Sequence, residues 1–261
     1  MTDFSLGMFS VHDLTTVNMD DALKQVAELG FKKVEFAGFF NHSAEEINEM
    51  LNKHGLVVSS THTPMAELVD DYDGTIAYHK KIGNEFIVFP MEPLPSQEAL
   101  DNFVETLKVL QPKAKADGIT LCYHNHLHEF SPNTDGSMIY EQLIERTNLF
   151  LEIDTGWSFS AGQDPVAMMN QYQERLRLIH LRDSIPNPLP VTGVPMLELY
   201  ADVINKVGIG RPLGAGGAPI REAYKKAKEL GIQMVIECEA KCPDSISSLK
   251  QCLAFAETLD A

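Results

Sequence analysis

Eight positions in this 261-residue chain carry side chains able to bind a metal or move a proton where short apolar runs end. They are Glu35 after KKV, His62 after VVSST, Glu92 just past FIVFP, His124 and His126 in LCYHNH, Asp154 in LEID, His180 in LIH and Glu237 in MVIE. Taken singly, such a histidine ordinarily holds a structural hydrogen bond, and such a carboxylate caps the next helix. Taken together, carboxylates and histidines closing four consecutive apolar runs indicate one shared divalent-metal site. Mixed Asp, Glu and His donors suit Mn2+, Co2+, Fe2+ or Zn2+, whereas calcium takes oxygen ligands. No thiolate joins the set, because strand alternation turns Cys238 away from Glu237 and into the core.

Further residues surround this set. YHNHLHEF (123–130) is the densest stretch, with His124 and His126 on one strand face and either one suited to general acid or base work. In HLRD (180–183), Arg182 could clamp substrate oxygens or form a salt bridge to Asp183 or Glu239. Trp157, the single tryptophan, follows Asp154 in DTGW and offers either an apolar wall for a sugar ring or loop packing. The GAGG at 214–217 opens a helix and reads as a tight turn, with backbone amides for a phosphate as the alternative.

These residues need a frame that brings strand ends together. A helical segment, a glycine and a short apolar run recur as ALKQVAELG-FKKVEF, INEMLNKHG-LVVSS, YHKKIG-NEFIVF, LQPKAKADG-ITLCYH and AYKKAKELG-IQMVIE. Glycine suits the left-handed position past a helix end, and continuously apolar runs of four to six residues are parallel strands buried on both faces. LFLEID (149–154), LRLIH (176–180) and a strand within Phe4–Ser10 complete eight. Helices are expected near 18–29, 43–54, 66–82, 96–117, 137–146, 164–174, 219–230 and 245–258, with one extra short helix at 196–206 in the long loop 183–218. Asp20, Ser43, Ser96 and Asp164 are the expected caps or first-turn acids. No glycine-rich dinucleotide fingerprint follows the first strand, so a single-domain (β/α)8 TIM barrel over residues 1–261 is favoured over an open doubly wound sheet. In such a barrel the C-terminal strand ends meet at one mouth.

Composition narrows the function. A net charge of −16, from 37 acidic and 21 basic residues, argues against nucleic acid and membrane surfaces as partners. MTDFSLGMFSVHDL lacks the pattern of a signal peptide, and the four cysteines read as reduced, so a cytoplasmic location is expected. A Schiff-base aldolase would need a lysine at a strand end, and none of the eight strands provides one. A metal-dependent endonuclease would be expected to carry a basic face.

The motifs YHNHLHEF, LEIDTGW, IHLRD, PLGAGG and VIECE, in this order, resemble the sugar phosphate isomerase/epimerase family of xylose isomerase-like TIM barrels, which is related to inosose dehydratases. The resemblance implies one divalent metal, Mn2+ first, held by residues from strands five to eight, with Asp154, His180 and Glu237 matching the last three. Members with an E-N-H segment place the first ligand where this chain has His124, which implies Glu129 as the carboxylate ligand and His124 as the fallback. It further implies a small sugar-like substrate contacted by Glu35, His62, Trp157 and Arg182, with His124, His126 or Glu239 as the acid or base. The expected reaction is isomerisation or epimerisation of a keto-sugar, sugar phosphate or inosose by proton abstraction beside a carbonyl, through an enediolate that the metal stabilises. Loss of a β-substituent from the same enediolate would make the protein a dehydratase or eliminase. A non-catalytic sugar-binding or accessory subunit is a further alternative, and association into a homo-oligomer is compatible with the family.

Overall fold

Eight short parallel strands close on one another in chain order. They are β1 (Ser5–Gly7), β2 (Lys33–Ala37), β3 (Val57–His62), β4 (Phe86–Phe89), β5 (Thr120–His124), β6 (Phe150–Asp154), β7 (Leu176–Leu181) and β8 (Gln233–Ile236), and β1 pairs with β8 to complete a (β/α)8 TIM barrel. The computed structural model describes residues 4–131, 137–187, 203, 208–240 and 243–260. The five glycines that punctuate the repeat, Gly30, Gly55, Gly83, Gly118 and Gly231, all take positive φ, the conformation that ends each helix and aims the chain into the next strand.

Strand alternation divides the barrel wall. Side chains facing inward form an apolar floor of Val88, Cys122, Leu178 and Val235, all fully buried. Two residues further along the same strands, the inward positions become His124, His180 and Glu237, so the floor gives way to a polar layer at the mouth. Outward residues such as Phe36, Leu151, Ile179 and Ile236 pack against the helical shell. Among the described residues no helix is long and apolar enough to cross a membrane.

Helices form where their caps and apolar spacing require. Ser43 and Glu46 make a reciprocal capping box for Ala44–His54, and Ser96 and Asp164 cap Gln97–Ala116 and Pro165–Gln171. The cap of Met19–Glu28 is Asn18, with Asp20 and Asp21 in its first turn. The helix expected over 66–82 is two, Met65–Asp70 and Tyr72–Lys81, because Asp71 leaves helical geometry and its side chain accepts from Gly74 N at 3.0 Å. Four short helical segments have no counterpart in the sequence expectations: Met8–Val11, His12–Thr15, His128–Phe130 and Thr155–Ser160. Such short pieces lack the periodicity that identifies a helix in sequence. Of the helix expected at 196–206, all but Val203 lies outside the described residues.

The GAGG segment is a clasp, and the structure rules against its use as a phosphate cradle. Asp183, buried two residues past β7 where Asp183–Ser184 pairs with Gly210–Arg211, accepts from the amides of Gly214, Gly216 and Ala218 at 2.8, 2.9 and 3.1 Å. Gly217 N donates to Ser184 O and Ala215 N to Pro212 O, so the amides an anion would need are already engaged. A Cβ on Gly216 would lie 2.3 Å from Asp183 Oδ1, which explains the glycine.

Candidate metal centre

Asp154 ends β6 and begins the helix Thr155–Ser160. Its Oδ1 accepts from Trp157 N at 2.6 Å as the helix cap, which fixes the carboxylate and leaves Oδ2 for the barrel mouth. Asn125, the middle of the H-N-H run, braces the same turn: its Oδ1 accepts from Asp154 N, and its amide donates to Ser158 Oγ. Register places Asp154 opposite His180 on β7, while His124 ends the neighbouring β5. His180 Nδ1 lies 3.6 Å from Asp154 Oδ2 and 2.5 Å from Glu237 Oε2, and His124 Nε2 lies 3.4 Å from Asp154 Oδ2. Ligand atoms of His124, Asp154, His180 and Glu237 all lie within 4.8 Å of one another.

These contacts are close but do not satisfy the atoms. Both nitrogens of His124, Oδ2 of Asp154 and Nδ1 of His180 are buried without a hydrogen-bond partner. Buried polar atoms ordinarily find partners, so one nitrogen of His124, Oδ2 of Asp154 and Nδ1 of His180, gathered beside the Glu237 carboxylate, fit a divalent transition-metal ion. His180 is prepared for that role from behind. Its Nε2 lies 2.7 Å from Glu35 Oε1, and donation there leaves the Nδ1 lone pair facing Asp154 and Glu237. Ser60 Oγ in turn donates to Glu35 Oε2 at 2.6 Å.

A second grouping overlaps the first: His62, His124, Glu152 and His180. Here His62 Nε2 hydrogen-bonds Glu152 Oε2 at 2.8 Å, while Glu152 Oε1, like the His124 nitrogens, has no hydrogen-bond partner. Glu152, fully buried, is the residue that sequence reasoning missed. It lies inside an apolar run two positions before Asp154, and so faces the same side of the sheet. Burial opposes charge on both carboxyls, but the adjoining imidazoles (His180 and His62 for Glu152, His124 and His180 for Asp154) outweigh it and hold them below the usual carboxylate range. A mouth lined by ionised carboxylates attracts a cation.

The structure separates the other expected residues. Glu129 does not join the ligand group. It lies past β5 in the short turn His128–Phe130, and its carboxylate accepts from Tyr123 Oη and His126 N, each at 2.8 Å. Tyr123 faces outward by alternation, so its hydrogen bond draws Glu129 behind the strand, and His124 occupies the position expected of it. Arg182 is fully buried, stacked 3.9 Å over the Trp157 ring and paired with Glu239, which matches the salt-bridge alternative of its two sequence readings. Gly156 permits this packing, since a Cβ there would come within 2.9 Å of Arg182. Glu92 belongs to neither grouping, and its backbone oxygen lies 2.7 Å from His128 Nε2. A cavity of about 530 Å3 opens above the four ligand candidates, with His62, His126, Trp157, Glu237 and Glu239 in its wall.

Residues 23–259 match the family described as xylose isomerase-like TIM barrel. The chain belongs to this family. An inosose dehydratase from Mesomycoplasma hyopneumoniae is 22% identical over 191 residues, a match covering 64% of this chain and 63% of that protein. The match thus covers less than two thirds of the length of the first of these curated relatives. Among solved structures, a sugar phosphate isomerase/epimerase from Parabacteroides distasonis superimposes with a TM-score of 0.76 at 22% identity, covering 97% of this chain and 92% of that one. A probable 3-DHS dehydratase from Bacillus anthracis does so with a TM-score of 0.68 at 14% identity, covering 97% and 99%. At these identities the likeness establishes a shared fold.

Proposed function

We propose that this protein is a divalent-metal-dependent isomerase or epimerase acting on a keto-sugar, a sugar phosphate or an inosose by proton transfer beside a carbonyl. The observation that carries this reading is the set of buried donor atoms of His124, Asp154, His180 and Glu237 gathered within 4.8 Å at the floor of an open cavity, with Asp154 Oδ2 and the His124 nitrogens making no hydrogen bond. His124, Asp154, His180 and Glu237 would hold the ion, with Mn2+ the first choice. When bound, the ion supplies Lewis-acid polarisation of a substrate carbonyl.

The remaining work falls to side chains of the cavity wall. His126 is held well below the usual histidine range by burial and by neighbouring His124 and His128, so it is neutral at pH 7 and would serve as the base only where substrate or metal offsets that shift. Glu239 is pushed up by burial, while Arg182 beside it pulls the other way. On this reading Glu239 serves as the second acid or base, with Arg182 orienting it. Trp157 gives the sugar ring an apolar wall, and His62 borders the same space. Trp157 and Arg182 also form one stack, so substrate contact at the ring is relayed to Glu239.

The inosose dehydratase relatives favour a second reading, elimination of a β-hydroxyl after the same proton abstraction. Both begin identically, so one experiment tests the shared step: solvent deuterium exchange into a panel of keto-sugars and inososes, read by NMR. Exchange at a carbon beside the carbonyl is expected, and no exchange in any member would count against the proposal. Metal analysis tests the site itself. The purified protein should carry about one transition-metal ion per chain, and Asp154→Ala and His180→Ala should lose it. Full metal content in both variants would overturn the assignment.

A further inference from the structure

Two of the few large apolar side chains left exposed on the described surface lie together at the cavity mouth. Phe9 is 45% exposed and Phe40 37%, and the ring of His12 lies between them, 5.4 Å from Phe9 and 5.6 Å from Phe40. Phe9 and His12 both line the cavity that reaches down to His124 and Glu237. Phe40 also has φ of +49°, followed by Asn41 at +65°, an uncommon conformation for a bulky residue. Strain of this kind persists where the surrounding structure enforces it and clusters at ligand clamps. The chain therefore holds an aromatic ring at the rim against both its backbone preference and its exposure to water.

The cavity, about 530 Å3, exceeds what one sugar ring of a dozen non-hydrogen atoms requires and falls in the range of sites for larger ligands. Its outer wall is mainly apolar: Phe9, Pro64, Pro90 and Met91, with His12 and Glu67 the polar exceptions. A second sugar ring would leave most of its hydroxyls unpaired there, whereas a flat apolar ring would not. Building on the sugar-binding reading above, we infer that the Phe9–His12–Phe40 rim is an outer subsite for an aromatic group attached to the sugar-like substrate, so that the substrate class is an aryl glycoside or a comparable sugar conjugate.

Trp157, the single tryptophan, lines the inner cavity and reports ligand entry by its fluorescence. The test titrates the protein, supplied with Mn2+, with phenyl and methyl β-glucosides, β-galactosides and β-xylosides, each as such and with one ring hydroxyl oxidised to the ketone, and with cellobiose in the same two forms. In at least one pair the phenyl compound should bind about tenfold more tightly than the methyl one, an advantage that aromatic contact can supply. Phe9→Ala and Phe40→Ala should bring that ratio toward one. Phe40→Gly, which relieves the positive φ, should bring the ratio down while leaving Tm equal to or above wild type, an opposition that a purely structural role would not produce. A phenyl preference below twofold, a preference unchanged in all three variants, an equal gain from cellobiose, or no Trp157 response to any compound would overturn the inference. Failure of the metal reading would show separately, as metal retained by Asp154→Ala.

Discussion

Asp154 divides its two oxygens between two tasks, capping a helix with Oδ1 and facing the barrel mouth with Oδ2. Its identity was legible in LEID, but the division of labour depends on a helix one turn long that only the fold reveals. Glu129 shows the reverse. Its type suited a ligand, yet Tyr123 and the His126 amide hold it outside the group. Glu129→Gln is therefore expected to retain metal while losing roughly 1–3 kcal/mol of stability, read by metal analysis and urea unfolding, because a buried hydrogen-bonded carboxylate is disturbed. A second prediction concerns His79, buried behind β3 and lowered by burial to about 4. Asn84 Nδ2 lies 3.1 Å from its Nδ1, a donor that only the neutral ring can accept. The folded pKa is below the unfolded one, so between about pH 6.5 and 4 the unfolded chain binds the proton and the folded protein does not. Stability should fall as pH drops through that window, by up to roughly 3 kcal/mol. Urea titrations at pH 7 and pH 4.5 should show the loss shrink in His79→Gln.

At the scale of elements, the loop after β7 is organised by one buried carboxylate. Asp183→Ala would strand the amides of Gly214, Gly216 and Ala218, and we expect a loss of about 3 kcal/mol with faster hydrogen exchange across 212–218. Exchange as slow as wild type there would contradict the clasp. Most elements were readable because each carries a local signature: a cap at Ser43, Ser96 or Asp164, a glycine at the helix end, an apolar run of strand length. The split at Asp71 and the turns at 8–15 and 155–160 were not, since the first rests on a single local cap inside one periodic stretch and the others are too short for periodicity. Glu152 fell between these signals, because a polar residue inside an apolar strand gains meaning only once its inward direction is known.

Across the whole molecule, four carboxylates (Glu35, Glu152, Asp154 and Glu237) are at most 5% exposed in one barrel mouth. Such a concentration of buried charge is costly without a cation. Adding Mn2+ at a hundred times its Kd should stabilise the fold by about 2.7 kcal/mol, seen as a rise in Tm that EDTA reverses. An unchanged Tm would argue that the imidazoles alone balance the charge. By itself the sequence determined the eight-stranded closed barrel and the convergence of its polar strand ends, because the period of helix, glycine and buried strand is a local property repeated along the chain. Tertiary structure alone decided which donors converge. Distances between strand ends, the face chosen by Glu129 and the pairing of Arg182 with Glu239 depend on residues far apart in sequence, and only the closed barrel brings them together.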